Sequence, residues 1–284
     1  MKYSLLLFCM LLAVAGFTQS PKPIAIGHSI ELDSKELKEK RTINIYLPEG
    51  YNAEDSALYP VIYIIDGGME EDFFHITGIV RFNTQPWINR FPRSIVVGIE
   101  NTNRRRDCTF PVANLDFVEK MGFKKEQFTS YGGSGAYIAF LQKELQPYIG
   151  SHYKTSGSNT LIGESLAGLL AAEILLKHRS LFNTYIIMSP SLWWGDGSLL
   201  AQAPSLLKKE NNGKLNVYVG ACSKEEDKRM YDDAIALANI LQKEGGAGMK
   251  VFYDYLPNEI HSTMMHQAVY NAFKLIYPGT EYQK

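Results

Sequence analysis

The chain has 284 residues, 45% hydrophobic and 21% charged, with a formal net charge of −1. This is the composition of a globular protein, long enough for one large α/β domain or two small ones. The near-neutral balance gives no electrostatic footprint for nucleic acid or an anionic membrane surface, so neither is expected as a partner.

The first 20 residues differ from the rest. An early Lys2, an apolar run from Leu5 to Ala15, then small and polar residues read as a secretory signal peptide. The run falls short of the roughly 20 apolar residues that span a bilayer; an uncleaved anchor is the alternative. Cleavage after Ala15 and cleavage near Gln19–Ser20 both stay open. The expected organisation is a signal peptide over 1–20 and one domain over 21–284, exported to a periplasm or secreted. No later segment reads as membrane-spanning, so no stable membrane insertion is expected after cleavage. Cys108 and Cys222 remain in the mature chain. Export permits a bridge between them, two free thiols are the other reading, and the absence of a CxxC argues against a redox or zinc site.

Along the mature chain, "RTINIYLPEGY" (41–51) alternates apolar and polar residues and ends in a Pro-Gly turn, as a half-buried strand does. "PVIYIIDGG" (60–68), "SIVVGIEN" (94–101), "TLIGES" (160–165), "TYIIMSPS" (184–191), "LNVYVGACS" (215–223) and "KVFYDYLPN" (250–258) are short apolar runs of the kind found in strands covered on both faces. Helical spacing appears in "AYIAFLQKELQPYI" (136–149), "LAGLLAAEILLKH" (166–178), "MYDDAIALANILQKE" (230–244) and "HSTMMHQAVYNAFKLIY" (261–277). The second is apolar almost all round and is expected to be deeply buried. The Gly-rich "SYGGSGAY" (130–137) reads as a helix entry rather than a phosphate loop, because no clear strand precedes it. Alternating strands and helices predict an α/β fold. Its central sheet should be mostly parallel, with antiparallel N-terminal edge strands and helices on both faces.

In such sheets reactive groups collect at the carboxyl ends of strands. Ser165 stands there, between a strand and a helix, with Gly163 two residues before it and Ala167 and Gly168 after. That spacing fits a nucleophile elbow with an alanine at the usual second glycine. The N-terminal N–H groups of the following helix favour developing negative charge. A helix N-cap is the alternative role for this serine. A nucleophilic serine needs a general base and an orienting acid, here in the chain order Ser, acid, His. Of the six histidines only His261 and His266 follow the serine at a suitable place, and His261 sits directly after the last strand; a surface helix cap is its bland reading. The acid falls among Glu225, Glu226 and Asp227, a cluster that also suits a solvated helix start. Gly67 and Gly68 allow close approach of the backbone to a carbonyl oxygen, and a plain turn is the other reading.

Taken together, "YPVIYIIDGG", "IVVGIENTNRRRDCTF", "FLQKELQPYI", "TLIGESLAGL", "LFNTYIIMSPSLWW" and the His261 region resemble the esterase D-like family of α/β hydrolases. That family includes siderophore, feruloyl and acetylxylan esterases, S-formylglutathione hydrolases and mycolyltransferases. The resemblance runs from about Arg41 to Tyr277. It implies an α/β-hydrolase fold, with Ser165 as nucleophile, His261 as base and Glu226, or else Glu225, as acid. The Leu166 N–H and that of Gly68 or Gly67 would form the oxyanion hole. Glu164 and Ala167 depart from the family's GHSLGG, and Glu164 is placed to raise the pKa of a nearby group. "RRRD" (104–107) either braces its loop by ion pairing or, through Arg106, binds an acidic or catechol-bearing substrate. Trp193 and Trp194 are pocket wall or core. The expected protein is an exported serine esterase without metal or cofactor, acting on a small-molecule or glycan ester such as a siderophore or a hydroxycinnamoyl or acetyl sugar. An acyltransferase with the same triad and a non-catalytic binding homologue are the alternatives.

Overall fold

A computed structural model describes residues 22–208 and 213–279. The expected signal segment therefore lies outside the described residues. Eight strands form one sheet: β1 (His28–Ser34), β2 (Glu39–Tyr46), β3 (Tyr59–Ile65), β4 (Ile95–Ile99), β5 (Thr155–Glu164), β6 (Thr184–Met188), β7 (Leu215–Ala221) and β8 (Met249–Tyr255). Their spatial order is β1-β2-β4-β3-β5-β6-β7-β8. The β1–β2 and β2–β4 pairs are antiparallel. Every pair from β4 onward is parallel.

Helices α1 (Phe73–Asn83), α2 (Ser134–Phe140), α3 (Ser165–Lys177), α4 (Ser198–Leu207), α5 (Lys228–Glu244) and α6 (Met264–Ile276) cover the sheet. Side chains of α1 and α6 pack one face, among them Ile76, Val80, Val269 and Phe273. Those of α2, α3, α4 and α5 pack the other. Two-sided cover explains why the parallel strands read as unbroken apolar runs. In α3 every residue from Leu166 to Leu176 is buried, as its all-round apolar pattern predicts. Cys108 and Cys222 are separate buried thiols with no bridge.

The "SYGGSGAY" segment does open a helix, which runs through a π-helical turn (Leu141–Leu145) into Gln146–His152. Two of the six sheet-covering helices were not visible in the sequence pattern. The first is α1, which carries many β-branched and aromatic residues; the second, α4, contains Pro204. Packing on the sheet and on α5 holds them in spite of weak propensity.

Candidate active site

The end of β5 makes a sharp turn into α3, and Ser165 occupies the turn with φ of +60°. A non-glycine residue in the left-handed region is strained, and such strain clusters where a side chain must be held in one position. The turn closes because of its small neighbours. A Cβ on Gly163 would stand 2.4 Å from the Ala167 carbonyl oxygen, and one on Gly168 would stand 2.9 Å from that of Met188. Ala167 is fully buried, so the elbow forms with alanine in the second small position. The Ser165 hydroxyl makes no helix cap. Its Oγ lies 3.4 Å from the Ser191 Oγ, and its carbonyl accepts from the Ser191 N–H at 2.9 Å.

In front of Ser165 is a cavity of about 410 Å³, lined in part by Arg104, Arg105, Phe123, Phe128, Leu166 and Trp193. Leu166 belongs to the first turn of α3, whose N–H groups have no intrahelical partner. Aromatic side chains make one wall. Phe123 stacks on Trp193 at 5.5 Å, and the Arg105 guanidinium lies 5.2 Å from the Phe128 ring centre. Arg105 is exposed and makes no ion pair among the described residues, so its charge is available to a ligand. The arrangement presents a fixed hydroxyl, unspent helix-terminal amides and a cation beside aromatic surface.

Two strands, β6 and β7, stand between β5 and β8, so the two lie three strand spacings apart, about 14 Å. The loop after β8 crosses back over the end of β7. The Leu256 N–H bonds the Ala221 carbonyl, and the Ser223 N–H bonds that of Glu259. His261 lies on this loop, two residues before the Thr263 that precedes α6, and does not cap the helix. Its Nδ1 is buried with no hydrogen-bond partner. Burial lowers its pKa, against the opposing Glu226 and Asp227 charges, and the Arg104 charge lowers it further. The imidazole is thus biased to the neutral form that accepts a proton.

The structure places the other expected site residues as follows. Glu226 meets His261 through the backbone: its Oε2 accepts the His261 N–H at 2.9 Å, and the imidazole is left without a carboxylate partner. Glu225 turns outward, to the Ser223 hydroxyl at 3.0 Å and the Tyr255 hydroxyl at 3.5 Å. Asp227 caps α5 through the Met230 N–H. The Gly67 N–H is spent on the Ile99 carbonyl at 2.9 Å, and the Gly68 N–H donates to the Glu71 Oε2 at 2.7 Å. Both amides expected as oxyanion donors are thus hydrogen-bonded within the fold. Arg106 faces away from the cavity into Glu39 and Asp107. Trp193 lines the cavity, whereas Trp194 is fully buried and donates its Nε1–H to the Phe110 carbonyl. The sequence reading missed Arg105, Phe123, Phe128 and Ser191 as cavity residues. The arginines were visible as a cluster, but which of them entered the cavity was not.

This fold and elbow define an α/β-hydrolase of the serine type. The family model described as "Putative esterase" matches residues 34–275, so the chain belongs to that esterase family and is an ester-hydrolysing enzyme. Ferri-bacillibactin esterase BesA of Bacillus subtilis is 27% identical over 249 residues, covering 83% of this chain and 85% of its own length. An IroE-like serine hydrolase from Shewanella oneidensis superposes with a TM-score of 0.81 at 32% identity, over 89% of this chain and 80% of that one. The siderophore hydrolase EstA from Aspergillus nidulans shares the fold, with a TM-score of 0.72 at 18% identity, over 92% of this chain and 99% of its own.

Proposed function

We propose that this protein is an exported serine esterase that cleaves a siderophore ester bearing anionic, aromatic groups. One observation carries the reading. The strained Ser165 elbow opens into a cavity whose walls combine an unpaired cation, Arg105, with Phe123, Phe128 and Trp193. Such walls suit a flat ring with negative charge through stacking and cation contact. The names of BesA and of EstA point to the same substrate class. Export rests on the leader-like first 20 residues.

In this mechanism Ser165 Oγ attacks the ester carbonyl while His261 takes its proton. The Leu166 N–H, at the positive end of α3, receives the developing oxyanion. The imidazolium then protonates the departing alkoxide and leaves an acyl-serine. Water attacks the acyl-serine with His261 again as base, which frees the acid and restores the hydroxyl. Glu226 holds the His261 backbone and contributes its charge at a distance, so the Ser–His pair does the proton transfer.

The test is hydrolysis of a ferric tricatecholate trilactone, followed by chromatography of the products, beside p-nitrophenyl acetate and butyrate. Wild type should cleave the trilactone, with Ser165→Ala and His261→Ala slower by about a thousandfold or more. Equal rates in all three folded proteins would remove the esterase reading. Loss confined to the p-nitrophenyl esters, with an intact trilactone, would remove the siderophore assignment. Glu226→Gln should cost less than either, because its carboxylate does not touch the ring.

A further inference from the structure

The residue before the nucleophile carries a carboxyl that this mechanism does not use. Glu164 ends β5, and its Oε1 is buried without a hydrogen-bond partner. The titratable groups around it and around its neighbour Arg104 come from three places. Asp66, Glu71 and Asp72 belong to the segment between β3 and α1, Arg104 to the one-turn helix Arg104–Asp107 after β4, and His261, which feels the Arg104 charge, to the loop after β8. His75 on α1 bears on Asp72, and the buried Cys108 thiol on Arg104.

Four carboxyls here share one guanidinium, which is already committed. Arg104 grips Asp66 through Nε at 2.8 Å and Nη2 at 2.7 Å, and the same Nη2 reaches the Glu164 carbonyl oxygen at 3.2 Å. Asn101 Nδ2 bridges Asp66 at 2.6 Å and Glu71 at 2.8 Å, and the Gly68 N–H takes the other Glu71 oxygen. Nothing is left to neutralise the Glu164 side chain. A buried carboxylate in that position must be compensated or protonated. Burial, reinforced by the Asp72 charge and opposed by Arg104, raises its pKa to about 8. Burial and the Asp66 charge raise that of Asp72 to about 6.

We propose that Glu164 is a positioning residue that acts through Arg104. As a neutral acid it leaves the guanidinium seated on Asp66 at the cavity edge. On losing its proton it competes for Arg104 and puts a negative charge behind the Ser165 elbow, where the oxyanion must form. The inference rests on the serine-esterase reading. It deepens that reading with an alkaline limit set beneath the nucleophile rather than at His261.

Two measurements on the full chain test it. The first is the pH profile of kcat/KM for p-nitrophenyl butyrate. Wild type should rise with deprotonation of His261, then fall about tenfold from its plateau by one unit above the Glu164 value, as a single ionisation requires. Glu164→Gln should lose the alkaline fall. Asp72→Asn removes the like charge and should shift the fall to lower pH, an effect a merely structural role would not give. The second is the infrared band of a protonated carboxyl at neutral pH, present in wild type and lost in Glu164→Gln. This band reads the proton whether or not the protein is an esterase, so a failed activity assay with the band present indicts the function and spares the proton. Superimposable profiles in wild type and Glu164→Gln, an Asp72→Asn fall at unchanged pH, or no difference in the band would each overturn the proposal.

Discussion

Arg104 and Arg106 stand two residues apart in one helical turn, and they enter two unlike ionic clusters. Arg106 joins a balanced one. With Arg41 it faces Glu39 and Asp107: Arg106 binds Glu39 at 2.7 Å and Asp107 at 2.7 Å, while the fully buried Arg41 pairs with Asp107 and, at 2.9 Å, with Glu39. The cluster clamps β2 to the turn after β4, and its cations hold the Glu39 carboxyl down at about 2. Arg104 serves the opposite kind, in which one guanidinium meets Asp66 and leaves Asp72 and Glu164 uncompensated against the Ser165 elbow. Matched charges brace a fold and fix protonation states. A charge deficit leaves a proton whose presence depends on pH, and this one lies beside Ser165.

The comparison can be broken most forcefully at its buried pair. Asp107→Ala leaves Arg41 without its main partner in a dry site, and should cost about 3–5 kcal/mol in urea unfolding; a loss under about 1 kcal/mol would show that the balanced cluster is no clamp. Glu164 should follow, through pH. Its carboxyl, raised from 4.5 to about 8, keeps a proton in the folded chain that the unfolded chain releases. Stability should therefore fall as pH rises from about 4.5 to about 8 and level off above. Glu164→Gln should remove that decline, a gain on the order of a few kcal/mol at pH 8 and none at pH 4, read from unfolding midpoints at both pH values.

Next comes a pair of matched variants. Arg104→Met should lower kcat/KM about tenfold, equivalent to about 1.4 kcal/mol, by stripping the acid-rich cluster of its guanidinium. Arg106→Met should leave kcat/KM within about twofold and show instead in thermal stability. Equal kinetic losses would erase the distinction between the clusters. The smallest effect belongs to Glu39. Its lowered carboxyl contributes stability above about pH 4.5 that is lost as pH falls toward 2. Solvent screening keeps that contribution to about 1 kcal/mol or less. Glu39→Gln should flatten the acid side of the stability curve, opposite in sign to Glu164→Gln.

Much of this architecture was legible because its causes are local. Strand runs such as "PVIYIIDGG" are apolar because two layers of helices cover them, and the elbow is readable because only small residues at Gly163 and Gly168 permit the backbone contacts that expose Ser165. Chain order singled out His261, since a parallel sheet brings the carboxyl ends of its strands to one edge. Tertiary structure decided the rest. Whether Glu226 meets the His261 ring or its backbone depends on how the loop after β8 folds across β7. Whether Arg105 or Arg106 enters the cavity depends on a rotation of about 100° per residue around one short helical turn. Trp193 and Trp194 are adjacent, yet one meets the cavity and the other the Phe110 carbonyl. Glu164 shows the limit most plainly: the sequence marked it as unusual beside the serine, but its proton is set by Asp66, Asp72 and Arg104, residues 60 to 98 positions away that only the folded sheet brings together.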